Sequence, residues 1–279
     1  MRKILVWAVF ALLACPAIVV AQKAEMHGPP KILEIVREDS KPGKVIAHRK
    51  HEAAWTQAFT KAGYPYNLTI SSVTGPDEDW FMTGFDSYAA LEKTNALFDT
   101  PKYEQIMDTF TPKEAEFVES SRFIFAKYRP DLSYKPNFNY GEFKYFSVLT
   151  VRFKMGAGPE EVGKIVAAAR EKANPDYHSV AFEVTSGMPV GTVIYFTPIK
   201  TLATWDEAPN KAYGEALKEG GFYEAVGKTV QLAEYRLFSF NPRLSHVPDE
   251  VAKANPSFWN PKPEMAKSAA KKEMKTEKK

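Results

Sequence analysis

The sequence predicts an α+β fold of two tandem ferredoxin-like repeats, whose antiparallel sheets pack face to face as an α/β barrel within one chain. The order strand, helix, hairpin, helix, strand runs once from about residue 31 to 134 and again from about 144 to 246. Each run ends on a matching phrase, Tyr128-Arg-Pro-Asp-Leu-Ser-Tyr134 and then Phe240-Asn-Pro-Arg-Leu-Ser-His246. A four-stranded sheet with helices on one face leaves its other face bare, so two such sheets can cover each other.

The elements of the first repeat, residues 31–134, follow from two periodicities. Alternating and β-branched stretches indicate strands, and an alanine-rich stripe with a 3.6-residue period indicates a helix that Gly63 and Pro65 end. The predicted elements are a strand at Ile32–Val36, a helix at Val45–Ala62, a hairpin of Asn67–Thr74 and Trp80–Phe85, a broken helical region at Ser87–Glu116 and a strand at Arg122–Tyr128.

The second repeat, residues 144–246, follows a linker of turn-forming residues at 135–143. Its predicted elements are a strand at Tyr145–Phe153, a helix from Glu160 to about Lys172, a hairpin of Tyr177–Thr185 and Val193–Phe196, helical stretches at Leu202–Ala216 and Tyr223–Gln231, and a strand at Tyr235–Phe240. The repeats align with nearly constant spacing, since Arg37 matches Arg152 and Phe85 matches Phe196. The spacing drifts only in loops and helices, where insertions cost little.

This pattern resembles the dimeric α/β-barrel group, which includes NIPSNAP-like and antibiotic-monooxygenase-like domains. The resemblance covers about residues 31–246 and rests on element order, duplication and the phrase Ser72-Val-Thr-Gly-Pro-Asp-Glu-Asp-Trp-Phe81. Members of that group include cofactor-free oxygenases, haem enzymes and proteins of no known activity. The resemblance implies the fold and transfers no catalytic motif to this chain.

The N-terminus predicts export. Arg2 and Lys3 precede an apolar stretch, and a small-residue site favours signal cleavage after Ala21, which gives a secreted or periplasmic protein. Pro16 interrupts the stretch and weighs against a membrane anchor, so we expect no stable membrane span after cleavage. A lipoprotein modified at Cys15 is the less favoured alternative, because the apolar run continues beyond it. Cys15 is the only cysteine, so the cleaved protein would have no disulfide or thiolate.

The net charge of +3 gives a misleading picture of the folded body. Two positive charges belong to the leader at residues 1–21. Four more belong to a lysine-rich tail at residues 262–279, which we expect to be disordered, and this leaves the body at −3. An acidic body argues against nucleic-acid binding, which needs a basic footprint.

The candidate ligand pocket lies between the sheet and the first helix of the first repeat, and we place Arg37, His48, His51, Trp55 and Trp80 in it. His48 and His51 share a helix face, so the two rings could hold a metal ion. No third ligand is evident from the sequence, and we therefore predict neither a metal site nor a cofactor. Core packing is the favoured explanation of the aromatic residues. In the structural alternative for the histidines, His51 packs in the alanine stripe of the helix and His48 lies at its solvated edge.

These observations favour an exported protein with a small-molecule-binding or scaffold role. The expected ligand is small and either apolar or anionic. The alternative is an oxygenase-type enzyme, either cofactor-free or haem-dependent, with its pocket in the first repeat. No catalytic residue is identified by the sequence. Because each repeat covers the bare sheet face of the other, we expect a monomer.

Overall fold

The computed structural model describes residues 28–205 and 210–261. The predicted signal peptide at 1–21 and the predicted disordered tail at 262–279 lie outside the described residues. Within the described chain, no helix is both long and apolar enough to cross a membrane.

The first half follows the predicted order, except that its second helical region is two helices. Pro101 begins the second of these, at a position where its missing N–H costs nothing. The elements are β1 (Ile32–Ser40), α1 (Val45–Ala62), β2 (Asn67–Ser72), β3 (Glu78–Phe85), α2 (Tyr88–Asn95), α3 (Pro101–Glu114) and β4 (Val118–Tyr128). Helix α1 has the predicted bounds, and Gly63 ends it in the left-handed conformation.

The second half repeats this order, and Gly221, at φ 76°, separates its last two helices. The elements are β5 (Tyr145–Phe153), α4 (Glu160–Ala173), β6 (Val180–Ser186), β7 (Thr192–Ile199), α5 (Lys211–Glu219), α6 (Phe222–Thr229) and β8 (Val230–Phe240). Two short helices, α7 (Asp249–Ala254) and α8 (Pro256–Trp259), follow the repeat and were not predicted.

The eight strands close into one antiparallel barrel in the order β1-β3-β2-β8-β5-β7-β6-β4. Strand β2 pairs with β8 and β4 pairs with β6, so each half contributes two strands to the junctions. The predicted α+β barrel of duplicated repeats is therefore confirmed.

The matching phrases explain part of this closure. Ser133, the second-last residue of the first phrase, accepts a hydrogen bond from the backbone N–H of Ala181 in the second half, at 3.0 Å. Ser245, the second-last residue of the second phrase, accepts one from the N–H of Thr69 in the first half, at 2.9 Å. Each copy of the phrase thus ties the end of one repeat to a strand of the other.

The barrel interior holds the main core. Strand residues alternate between the interior and the outer face that carries the helices. The interior cluster includes Leu33, Ile35, Trp80, Phe146, Phe196 and Phe238, all buried. Outward-facing positions of the first-half strands instead meet α1, α2 and α3.

One end of the barrel is plugged by the segment 137–143 together with α7 and α8. Trp259 is buried there, and its Nε1 donates to the carbonyl oxygen of Gly141 at 3.0 Å. A Cβ at position 141 would overlap the carbonyl oxygen of Val251, so only glycine fits this contact. We call the opposite end, where β1 finishes and β8 begins, the polar end.

Candidate metal centre

A cluster of ionisable side chains lies on the outer face of β1, near the polar end, under α1 and α3. The alternation of β1 turns Glu38 and Ser40 toward the helices, away from the barrel interior. His48 and Glu52 lie four residues apart in α1 and therefore share one helix face. Glu114 is the last residue of α3, which packs on α1.

His48 is the centre of this cluster and is fully buried. Its Nε2 lies 3.1 Å from Glu38 Oε2 and 3.1 Å from Glu114 Oε1. Its Nδ1 lies 3.0 Å from Ser40 Oγ and 3.7 Å from Asp79 Oδ2. Both ring nitrogens are therefore oriented by neighbours that arrive from β1, β3 and α3.

Glu52 completes the cluster and is only 7% exposed. Its Oε1 is buried and has no hydrogen-bond partner among the described residues. One ligand atom from each of Glu38, His48, Glu52 and Glu114 can be chosen so that all lie within 4.8 Å of one another. Metal–ligand distances near 2.1 Å place opposite ligands about 4.2 Å apart, so the four groups have the spacing of a mononuclear site.

Burial and mutual repulsion raise the pKa values of two carboxyl groups in the cluster. Burial raises the pKa of Glu52 well above its usual value, and the charges of Glu38 and Glu114 raise it further. Burial also raises the pKa of Glu38, although its hydrogen bond with His48 acts in the opposite direction. Carboxyl groups whose pKa values are raised in this way hold their protons more tightly than solvated ones do.

The pKa values of His48 and Glu114 shift in the directions expected of an ion pair: the pKa of His48 rises and that of Glu114 falls. Burial disfavours the charged imidazole, but hydrogen bonds to Glu114 and Glu38 and the charge of Glu52 outweigh it and raise the pKa of His48 to about 10. Burial alone would raise the pKa of Glu114, yet its hydrogen bond with His48 lowers it. A divalent ion could replace the His48 and Glu52 protons and provide the same compensation.

His51 supports the cluster from outside. Its Nε2 donates to the carbonyl oxygen of Phe110 at 3.1 Å and lies 3.3 Å from Glu114 Oε2. The ring packs 5.4 Å from Phe110 and 5.9 Å from Trp55. Since the N–H of His51 points to Phe110, it makes no hydrogen bond to Glu114 Oε2, which has no hydrogen-bond partner among the described residues.

The structure does not bring the five predicted pocket residues together. His48, His51 and Trp55 share the helix-facing side of the first-half sheet. Arg37 and Trp80 lie on the barrel side, because they alternate with Glu38 and Asp79 along β1 and β3. Trp80 is buried 4.9 Å from the ring of Phe238, and the Arg37 guanidinium lies over it at 5.4 Å.

No third ligand beside the two histidines was evident from the sequence, whereas the structure brings three carboxylates to His48. Glu52 could have been recognised from its spacing to His48, and Glu38 from the alternation of β1. Glu114 could not, because it reaches the site only through the packing of α3 on α1. The second repeat has no equivalent site, since Phe153 replaces Glu38 and α4 contains no histidine.

No protein-family model matches the chain, and no curated protein sequence matches it. Solved structures with a similar fold include a protein of Fusobacterium nucleatum subsp. nucleatum named as a candidate monooxygenase, at 11% identity and a TM-score of 0.48, over 77% of this chain and 94% of that chain. A mutant chlorite dismutase from Candidatus Nitrospira defluvii, in complex with cyanide, has 11% identity and a TM-score of 0.48, over 83% of this chain and 97% of that chain.

A NIPSNAP domain protein from Burkholderia xenovorans matches over 34% of this chain and 90% of that chain, at 18% identity and a TM-score of 0.28. The resemblance to the dimeric α/β-barrel group is confirmed at the level of the fold. No activity, cofactor or substrate passes from these proteins to this chain.

Proposed function

We propose that this protein binds a divalent metal ion through Glu38, His48, Glu52 and Glu114. The observation that carries the proposal is the buried Oε1 of Glu52, a member of this cluster, which has no hydrogen-bond partner among the described residues. A buried, unpartnered carboxylate oxygen is costly, and coordination to a cation removes that cost.

The donor set favours a first-row transition metal ion. Imidazole suits iron and zinc, whereas carboxylates suit manganese and the harder ions, so one imidazole with three carboxylates favours Fe²⁺, Mn²⁺ or Zn²⁺. The neighbouring carboxylate of Asp79 does not add to the negative charge at the site, because Arg49 Nε lies 3.1 Å from both of its oxygens. Three ligand carboxylates thus remain to offset the ion.

Metal binding departs from the expectation drawn from the sequence, which was a small apolar or anionic ligand and no metal site. An oxygenase-type enzyme is the second candidate, and the aromatic wall of Trp55 and Phe110 beside the cluster favours it, because an oxidisable apolar substrate could pack there. The haem-dependent form gains no support from His48, whose two ring nitrogens are both engaged within the cluster. Export remains part of the proposal, and N-terminal sequencing of the cellular protein would test cleavage after Ala21.

The metal proposal is tested by isothermal titration of chelator-treated full-length protein with Mn²⁺, Zn²⁺ and, without oxygen, Fe²⁺. We expect one ion per chain and, because protons leave His48 and Glu52, an apparent heat that depends on the ionisation enthalpy of the buffer. His48→Gln and Glu52→Gln should each remove this binding.

His178→Gln and Glu219→Gln are the matched controls, since both residues lie in the second repeat, away from the cluster. The proposal is wrong if all four variants bind metal as the parent protein does, or if the parent binds none of the three ions.

A further inference from the structure

Four arginine residues occupy inward-facing strand positions at the polar end of the barrel. Along β1, the interior positions run from Leu33 and Ile35 to residue 37, and along β8 they run from Phe240 and Phe238 back to residue 236. The same alternation places one arginine on β4 and one on β5. The four are Arg37, Arg122, Arg152 and Arg236.

Two of them, Arg37 and Arg236, already pair with a carboxylate, and we call this pair the floor of the site. Glu78 is fully buried and pairs with both Arg37 and Arg236. Arg236 Nη2 also donates to the carbonyl oxygens of Thr74 and Pro76, each at 3.0 Å. These contacts fix the floor and leave it one positive charge in excess.

The other two, Arg122 and Arg152, have N–H donors that are largely without acceptors among the described residues. The buried Nε of Arg152 has no hydrogen-bond partner within residues 28–205 and 210–261. Arg122 is half exposed, and its Nη2 meets Asp39 Oδ2 only at 3.4 Å. A buried guanidinium donor without an acceptor is unfavourable, so an acceptor from outside the chain would stabilise this arrangement.

The charges at this end do not cancel. The facing carboxylates on the same strands are Asp39, Glu78 and Glu234, against four guanidinium groups. Burial lowers the pKa of Arg236 to about 10, and the positive charge of Arg37 lowers it further, while Asp39 acts in the opposite direction. The guanidinium groups of Arg37 and Arg236 therefore repel each other, although both pair with Glu78.

We propose that the polar end of the barrel binds a small oxyanion, such as a phosphate or a dicarboxylate, through Arg152 and Arg122, with the Arg37–Glu78–Arg236 floor beside them. Guanidinium groups bind such anions through paired N–H donors, with a geometry that lysine cannot supply. Equivalent strand positions of the two repeats contribute Arg37 and Arg152, so the duplication itself supplies two of the four arginines. This site lies on the opposite face of β1 from the metal centre.

The test is calorimetric titration of metal-free full-length protein at low ionic strength, with inorganic phosphate and with succinate as separate probes. Metal-free protein is used so that anion binding to a metal ion cannot contribute, and so that failure of the metal proposal leaves this test intact. We expect one saturable site per chain for at least one probe. Arg152→Gln should raise Kd about tenfold or more, and Arg122→Gln several-fold, because each loses a charged hydrogen bond.

Arg152→Lys keeps the charge and loses the paired donors, so its Kd should fall between those of the parent and Arg152→Gln. Lys200→Gln is the matched control, since it removes one positive charge from an exposed position at the plugged end. Absence of saturable binding for both probes overturns the proposal. An equal loss in Lys200→Gln and Arg152→Gln also overturns it, because that result would show general electrostatic attraction.

Discussion

The stability of the metal-free protein should fall as pH rises from 6.5 to 10. The group responsible is His48, whose pKa of about 10 in the folded state lies above the ordinary value of 6.5. A raised pKa means that the folded state holds the proton more tightly, so its contribution is fully present below pH 6.5 and is lost as pH rises through 10. The raised pKa values of Glu52 and Glu38 act in the same direction from about pH 4.5 upward.

The magnitude follows from the pKa difference of His48 between the two states. A difference of about 3.5 corresponds to about 5 kcal/mol, at about 1.4 kcal/mol per pKa unit. This is an upper value for His48 alone, since its partners Glu38 and Glu114 titrate with it.

The assay is urea denaturation of chelator-treated protein at several pH values between 6 and 10, with His48→Gln as the comparison. The parent should lose several kcal/mol in the free energy of unfolding, and the variant should lose much less over the same range. A saturating divalent ion, at 100 times its Kd, should restore about 2.7 kcal/mol. The reasoning is refuted if parent stability is flat or rises across this range, or if His48→Gln has the same slope.

Four further outcomes are expected. Glu52→Gln should stabilise metal-free protein at pH 8 in urea denaturation, since it removes a buried carboxyl group in a crowded negative site; a loss of stability would contradict this. His51→Gln should keep one metal ion per chain but weaken binding about tenfold by calorimetry, because it removes the imidazole that lies 3.3 Å from Glu114 Oε2; unchanged affinity would show that this contact does not contribute to binding. Trp80→Ala should cost about 3–5 kcal/mol of unfolding free energy by leaving a cavity in the barrel, and a cost under 1 kcal/mol would contradict its placement. Gly141→Ala should destabilise the plug by about 1–3 kcal/mol and alter tryptophan fluorescence, whereas an unchanged spectrum and stability would count against the plugged end.

The fold could be predicted from the sequence because the patterns that indicate its strands and helices are local and occur in both repeats. The alternation of apolar and polar residues predicted the strands, and Gly63 and Pro65 predicted where α1 ends. The matching phrases predicted the duplication, although their role became clear only in the barrel, where Ser133 and Ser245 each bind the other repeat. The plug could not be predicted, because α7 and α8 are short and gain their stability from packing on the barrel end.

The candidate metal centre was predictable only in part. His48 was identified, but its partners Glu38 and Glu114 are 10 and 66 residues away along the chain. Arg37 and His48 were predicted to line one pocket, but they lie on opposite faces of the first-half sheet. A strand one residue out of phase turns a side chain to the opposite face, and the sequence alone did not say which phase faced the helices.

The most direct test of the metal proposal is anomalous X-ray diffraction from crystals of the Mn²⁺-loaded or Zn²⁺-loaded protein. The proposal predicts one anomalous peak per chain, about 2.0–2.2 Å from His48 Nε2 and from carboxylate oxygens of Glu38, Glu52 and Glu114. A peak elsewhere on the chain, or no peak from protein that was saturated in solution, would contradict it.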